Sequence, residues 1–471
     1  MNVHDSDRME SVLAAHGWTP TDLASEADLI VLNTCSVREK AEQKLRSEIG
    51  KLLPLKKQNP ELVLAVAGCV AQQEGEKLLA RVKHLDLVIG PDNIAELPAL
   101  VLEQRQGALP RARTVFDLDA PRFLSAEPLP GTAPVSAFVT TMKGCDERCS
   151  FCIVPTTRGP ERYRPSSEIV DEVRAWVSAG SREVTLLGQT VDSFRDAQLP
   201  PAASDDPDES QFPHLLRKIA REVPALVRLR YTSPHPRHAT ASLAAAHSEV
   251  GILARHIHLP VQSGSDRVLK RMIRRYTRAE YIERARRLLA ARPGMTMSTD
   301  IIVGFPGETD LDFDATLSLM AEIGFTQAYA FKFSPRPYTP ALKLKDDVPE
   351  VVKSERLARL FLQMEAQGRA HLETRVGTTQ RVLVEGRSKA EAGGTFEGRT
   401  DANEIVHIEG CETDPTGFEL AVEIVRANKH SLHAVLTAEA RAECQSRGPS
   451  TAVPTPRRKR LLQVLPATLE S

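Results

Sequence analysis

From residue 135 to about residue 337 one pattern recurs about six times: a short apolar run, then a stretch with apolar residues at helical spacing. The runs fall at 137–142, 183–187, 226–231, 256–259, 295–303 and 328–333. The helical stretches fall at 167–179, 212–223, 239–249, 266–274 with 278–291, and 309–323. Strands alternating with helices in this way imply a parallel sheet. About six consecutive units predict an open, partial TIM-like (β/α)6 barrel rather than the full eight. Such folds gather their chemistry at the carboxyl ends of the strands. Here those ends run into Gly188-Gln189, Thr232-Ser233, Gln262-Ser263-Gly264, Gly304-Phe305-Pro306-Gly307-Glu308 and Ser334-Pro335-Arg336. Turns use the same residues for local reasons, so each loop alone says little; five on one edge say more.

The first run ends in Lys143-Gly144-Cys145-Asp146-Glu147-Arg148-Cys149-Ser150-Phe151-Cys152. Three of the chain's seven cysteines stand there, spaced C-x3-C-x2-C. Three thiolates can hold three irons of a [4Fe–4S] cube, which usually takes four cysteines, so one iron stays open. An open iron at a barrel mouth implies a small ligand bound beside it. A structural zinc site is the alternative, but that usually shows paired C-x2-C knuckles and a nearby fourth ligand. The other cysteines, Cys35, Cys69, Cys411 and Cys444, lie far off in sequence.

Residues 1–105 form another alternation, with strands expected at 27–33, 62–67 and 85–90 and helices at 37–55, 70–82 and 94–104. This is a doubly wound parallel-sheet domain. Cys35 and Cys69 each stand just past the carboxyl end of a strand, the edge where open α/β sheets bind ligands. Two ordinary buried thiols remain the other reading. The chain opens directly on Asn2-Val3-His4-Asp5-Ser6-Asp7, a helix-capping sequence with no strand before it, so the domain is expected to lack its opening strand through truncation at the front.

The barrel domain is bounded at 131–375, and its long last helix, 350–374, leads to five short strands at 381–385, 394–400, 404–408, 419–426 and 431–436. These predict a small OB-like β-barrel over 376–437, either a single-stranded nucleic-acid binder or a structural cap. Cys411 falls in a turn and reads as inert. Residues 438–471 read as a disordered tail, with Arg457-Arg458-Lys459-Arg460 a weak phosphate contact. The net charge of −1 leaves any RNA binding to local patches. One candidate patch is Arg271, Arg274, Arg275, Arg278, Arg284, Arg286 and Arg287, which reads equally well as a solvated face paired with acids. No apolar run approaches ~18 residues and no export signal opens the chain, so no membrane span is expected. Cysteines gathered in a metal-like motif suit a reducing cytoplasm.

These motifs resemble the radical S-adenosylmethionine (SAM) methylthiotransferases, over residues 1 to about 436. The resemblance is carried by Met1-Asn2-Val3-His4-Asp5-Ser6-Asp7-Arg8-Met9, by Leu32-Asn33-Thr34-Cys35-Ser36-Val37-Arg38-Glu39, and by residues 144–159. Further matches are His258-Leu259-Pro260-Val261-Gln262-Ser263-Gly264-Ser265, Asp300-Ile301-Ile302-Val303-Gly304-Phe305-Pro306-Gly307-Glu308-Thr309 and Phe333-Ser334-Pro335-Arg336-Pro337. The final barrel resembles the RNA-binding TRAM domain. The resemblance implies that Cys145, Cys149 and Cys152 hold the SAM-binding cluster, and that Cys35 and Cys69 are two of three ligands of an auxiliary [4Fe–4S] cluster. The family's third ligand lies just before the Met-Asn that is here Met1-Asn2, and is expected to have been lost with the opening strand. The smaller departures are Thr156-Thr157, Pro160-Glu161-Arg162-Tyr163, and Tyr338 where the family usually has glycine. Strand-end position and motif matches make Gln189, Ser233, Gln262 and Asp300 the expected SAM contacts.

The implied reaction is methylthiolation at C2 of an N6-prenylated adenosine beside the tRNA anticodon. One SAM is cleaved to a radical, the auxiliary cluster supplies or carries the sulfur, and a second SAM gives the methyl group. A monomer served by a flavodoxin- or ferredoxin-like electron donor is implied as well. The alternatives are a sister enzyme that modifies an aspartate of a ribosomal protein, and an inactive iron–sulfur protein that binds RNA.

Overall fold

In a computed structural model, residues 2–36, 39–119, 121–125, 133–388, 395–446, 453–454 and 461–466 are described. The first domain is built on the strands Leu29–Thr34, Val63–Gly68, Leu87–Ile89 and Arg111–Arg113, parallel and adjacent in that order. The first three are apolar on both faces because helices cover both. Met9 and Leu13 of the helix Asn2–Ala14 and Leu97 and Val101 of the helix Leu97–Arg105 pack on Leu29, Val31 and Val63. On the other face Leu45 and Ile49 of the helix Glu39–Gln58, with Leu78, pack on Ile30, Leu32 and Leu64. The single helix expected at 70–82 is two, Cys69–Glu74 and Glu76–Arg81, broken where Gly75 takes φ +50°.

The tail does not follow the expectation of disorder. Residues Ala438–Ser446 form a helix that puts Ala440 and Cys444 into the core of the C-terminal barrel. Residues Leu461–Pro466 form a strand, antiparallel to both Trp18–Pro20 and Leu29–Thr34 and lying between them. The backbone edge of Leu29–Thr34 is a template for such pairing. The place beside it, where an opening strand was missed in the sequence, is taken by this distant segment. The cluster Arg457-Arg458-Lys459-Arg460 lies outside the described residues.

All six expected barrel strands are present. Ser136–Thr140, Glu183–Leu187 and Arg228–Tyr231 form one parallel sheet, and His256–His258, Thr296–Val303 and Gln327–Lys332 another. The bridge Leu229↔Leu253 links them, leaving the barrel open between its first and last strands. One core joins strands to helices, from Val139 and Leu186 to Ile219, Tyr281, Met297 and Leu319. Capping boxes at Thr277 and Thr309 start the helices Arg278–Leu289 and Asp310–Ile323.

The helix Glu350–Glu373 lays Leu360 and Met364 on this core and leads to a closed five-stranded barrel. That barrel docks at the amino ends of the large-barrel strands, opposite the cysteine loop. Buried Arg228 donates to the carbonyls of Arg399 (3.0 Å) and Thr400 (3.3 Å), and Thr296 Oγ1 to that of Ala402 (3.0 Å). No described helix is long and apolar enough to cross a membrane.

Candidate functional site

The cysteine loop is pinned at its base, where Met142–Lys143 pairs antiparallel with Arg162–Tyr163. Gly144 takes φ +79°, and a Cβ there would stand 1.9 Å from the Pro160 carbonyl oxygen. Only glycine lets the backbone pass this closely, and the Cys145 N–H then donates to Gly159 O at 3.1 Å. Cys145 Sγ lies 3.0 Å from Thr190 Oγ1, on the loop after the second barrel strand. Buried Cys149 accepts from Arg274 Nη1 at 3.1 Å, and Cys152 from the Val154 N–H at 3.5 Å.

Burial, with neighbouring cysteines adding to it, pushes the Cys145 and Cys152 thiols up to about 12. Thiols in such a place become thiolates when a cation enters among them. Among the described residues no three His, Cys, Asp or Glu side chains are gathered tightly enough for a single metal ion. A cubane spreads its ligands over its corners, and three loop sulfurs suit it.

Thr34 and Gly68 are register partners, so Cys35 and Cys69, each one residue further, come side by side at the sheet edge. Gly68 takes φ +93°, and a Cβ there would meet Asn33 Oδ1 at 2.4 Å and Thr34 O at 2.8 Å, so only glycine fits. Cys69 then opens the helix Cys69–Glu74, which packs against Val154–Arg158, the helix leaving the cysteine loop. Arg158 ends that helix, donates through Nε to Cys69 Sγ at 3.2 Å, and is ion-paired with Asp5. Lys143 and Arg162 both reach Asp92 across the same seam. The edge of the first domain thus meets the mouth of the second, with Cys69 tied through Arg158 to the helix that leaves the cysteine loop.

Of the expected SAM contacts, Gln189 directly precedes Thr190, the partner of Cys145. Both amide atoms of Gln189 are buried without a hydrogen-bond partner in the protein, as a cradle for a polar ligand would leave them. Ser233 and Gln262 hold left-handed backbones, φ +61° and +74°, at strand ends. Asp300 stands inside the barrel, three residues short of its strand's end, with Oδ2 3.3 Å from His258 Nε2. Asp192 Oδ2 and His235 Nε2 are further buried polar atoms without a partner, and Asp192 Oδ1 accepts the His235 N–H at 2.8 Å.

Much of the arginine stretch is paired with acids or carbonyls. Arg278 and Arg286 pair with Glu322, Arg284 with Asp208 and Arg287 with Glu283, while Arg271 Nε donates to Pro306 O. Arg274 is buried, and Arg275 is exposed at the rim of a cavity of about 570 Å³ lined also by Cys145, Glu147 and Arg148. The solvated-face reading holds for the paired arginines. Arg158 and Arg274 were missed as site residues; Arg158 stands within the 144–159 motif, whereas nothing local sets Arg274 apart from its neighbours. Cys411 packs on the small barrel's core beside Cys444, away from the mouth.

Three family models match in order: an uncharacterized protein family, UPF0004, at residues 1–90, the radical SAM superfamily at 139–320 and the TRAM domain at 373–437. A tRNA-2-methylthio-N(6)-dimethylallyladenosine synthase of Sorangium cellulosum is 62% identical, over 98% of this chain and 96% of its own. Proteins of the same name from Acidithiobacillus ferrooxidans and Ralstonia nicotianae are 46% and 43% identical, each over 92% of this chain and 94% of theirs. With its cysteine loop, its barrel and its three-part build, the chain belongs to the radical SAM family of tRNA-2-methylthio-N(6)-dimethylallyladenosine synthases.

Proposed function

We propose that this chain replaces the C2 hydrogen of N6-dimethylallyladenosine, beside the anticodon of tRNA, with a methylthio group. The observation that carries the reading is the meeting of the two cysteine groups: Arg158, which ends the helix leaving the cysteine loop, donates through Nε to Cys69 Sγ at 3.2 Å. A sulfur-carrying site and a SAM site must face one substrate atom, and only adjoining sites can. The bound cluster and SAM supply the one-electron chemistry that takes an unactivated aromatic hydrogen, which no side chain can remove at neutral pH.

The protein's part is to hold and to exclude. Cys145, Cys149 and Cys152 hold the first cluster, Cys35 and Cys69 serve the auxiliary site, and Gln189, Ser233, Gln262 and Asp300 surround SAM. Exposed Arg148 and Arg275 at the rim meet phosphates, giving salt-sensitive binding. An unpaired loop base can be splayed into the mouth without breaking a duplex. We place the enzyme in the cytoplasm, as a monomer reduced by a flavodoxin- or ferredoxin-like donor. The names of the relatives favour tRNA over a ribosomal aspartate.

The test is mass spectrometry of tRNA nucleosides from a strain lacking the gene. Methylthiolated dimethylallyladenosine disappears, the dimethylallyl precursor accumulates, and the gene restores the product. Unchanged tRNA, with a ribosomal aspartate losing its methylthio group instead, overturns the reading.

A further inference from the structure

Arg274 lies in a run of arginines that face solvent or pair with acids, yet it is only 5% exposed. All three guanidinium nitrogens are engaged: Nη1 to Cys149 Sγ at 3.1 Å, Nη2 to Pro260 O at 3.0 Å, Nε to Tyr276 Oη at 2.9 Å. Tyr276 is itself tied down, donating to Val261 O at 2.8 Å. The backbone pays for the inward turn. Ile273 and Arg275, on either side, hold φ +58° and +54°, and for a β-branched residue such as Ile273 that is an outlier. Among the described residues no acid side chain is bonded to this guanidinium, whose Nη1 is given to the sulfur instead. The other groups facing it are His235, whose ring contacts Tyr276, and the Tyr276 hydroxyl.

We propose that Arg274 is a positioning residue for the iron–sulfur cluster: it holds Cys149 Sγ in its ligating place and raises the potential at which the cluster accepts an electron. The inference rests on the assignment of Cys145, Cys149 and Cys152 as cluster ligands. Two physical effects act in the same direction. A hydrogen bond to a ligand sulfur withdraws electron density from iron, and a buried positive charge favours the reduced state, which carries one more negative charge. The reduction takes one electron from an external donor, dithionite in the assay below, and makes or breaks no bond. Arg suits the task better than Lys because its planar fork stays charged and serves sulfur, carbonyl and hydroxyl at once.

The experiment is a redox titration with dithionite, followed by electron paramagnetic resonance, on anaerobically reconstituted full-length protein. It compares wild type with Arg274→Gln, Arg274→Lys and Tyr276→Phe. The midpoint falls in Arg274→Gln by at least tenfold in the reduction equilibrium, about 59 mV for one electron. Arg274→Lys falls less, because the charge stays, and Tyr276→Phe less again, because only the orientation is loosened. If Arg274→Gln folds but binds no iron and Arg274→Lys restores it, the holding role is supported. If Arg274→Gln and Tyr276→Phe keep their iron and the wild-type midpoint, Arg274 is a packing residue and the proposal falls. If wild type itself binds no iron, the cluster assignment falls first and this inference with it.

Discussion

Glu172 is one of the buried acids that seat the first domain on the barrel. It stands in the helix Ser166–Ser178, 3% exposed, and takes two guanidiniums at once. Arg8 of the first domain's opening helix bonds it at 2.6 Å, and Arg164 of the barrel bonds its other oxygen. Glu172→Gln keeps the shape and removes the charge, leaving both cations buried. Arg164 keeps Ser125 Oγ at 2.6 Å and Glu168 at 3.2 Å, but Arg8 keeps only His4 Nε2 at 3.2 Å, and its Nη1 already lacks a partner. Burial first, and the charge of Arg164 beside it, lower the Arg8 pKa, so this cation is already held at a cost. Breaking one side of a buried ion pair costs about 3–5 kcal/mol.

Glu168 is the internal control, since it binds the same Arg164 with a side chain 53% exposed. Glu168→Gln is expected to cost about 0–1 kcal/mol. The assay is urea unfolding followed by Trp176 fluorescence, because its Nε1–H points at Glu172 Oε1, 3.4 Å away. Glu172→Gln shifts the midpoint several times further than Glu168→Gln does. Shifts within about 1 kcal/mol of each other would refute the reasoning, by showing that water or a rearranged partner compensates Arg8.

Gly144→Ala puts a Cβ 1.9 Å from a carbonyl oxygen at a left-handed backbone, so the reconstituted variant loses most of its loop iron, read by colorimetric iron assay, while its circular dichroism stays near wild type. Burial alone would raise Glu404, but bonds from His371 and Thr400 and the charge of Arg375 hold it down to about 2, from 4.5. Its stabilising effect is therefore whole above pH 4.5 and is lost as pH falls toward 2, about 3 kcal/mol in all. Acid unfolding of Glu404→Gln, followed by circular dichroism, is expected to lack that slope between those two pH values.

How far the chain could be read from sequence depended on how local each signal was. The six barrel strands and the small C-terminal barrel were legible because apolar runs, helical spacing and turns are written within a few residues. The cysteine loop was legible for the same reason. The strand Leu461–Pro466 was not, because its partners stand more than 400 residues away and its surroundings read as a charged, proline-rich tail. The burial of Arg274 was hidden in a charge run, and only the Ile273 and Arg275 backbones distinguish it. The seating of Cys69 against the helix after the cysteine loop was also invisible, since it depends on the Asp92, Asp5 and Glu172 contacts that join one domain to the other. The proposed SAM contacts fall between these cases: strand ends pointed to Gln189, Ser233 and Gln262, while Asp300 stands deeper and beside His258.

The measurement that bears most directly on the central claim is iron bound per chain after anaerobic reconstitution, for wild type and for Cys145→Ala, Cys149→Ala and Cys152→Ala combined. The triple variant is expected to lose about four irons relative to wild type, the content of one [4Fe–4S] cluster, while Cys411→Ala with Cys444→Ala loses none. A folded triple variant with the iron content of wild type would contradict the assignment of the loop at the barrel mouth as the cluster site.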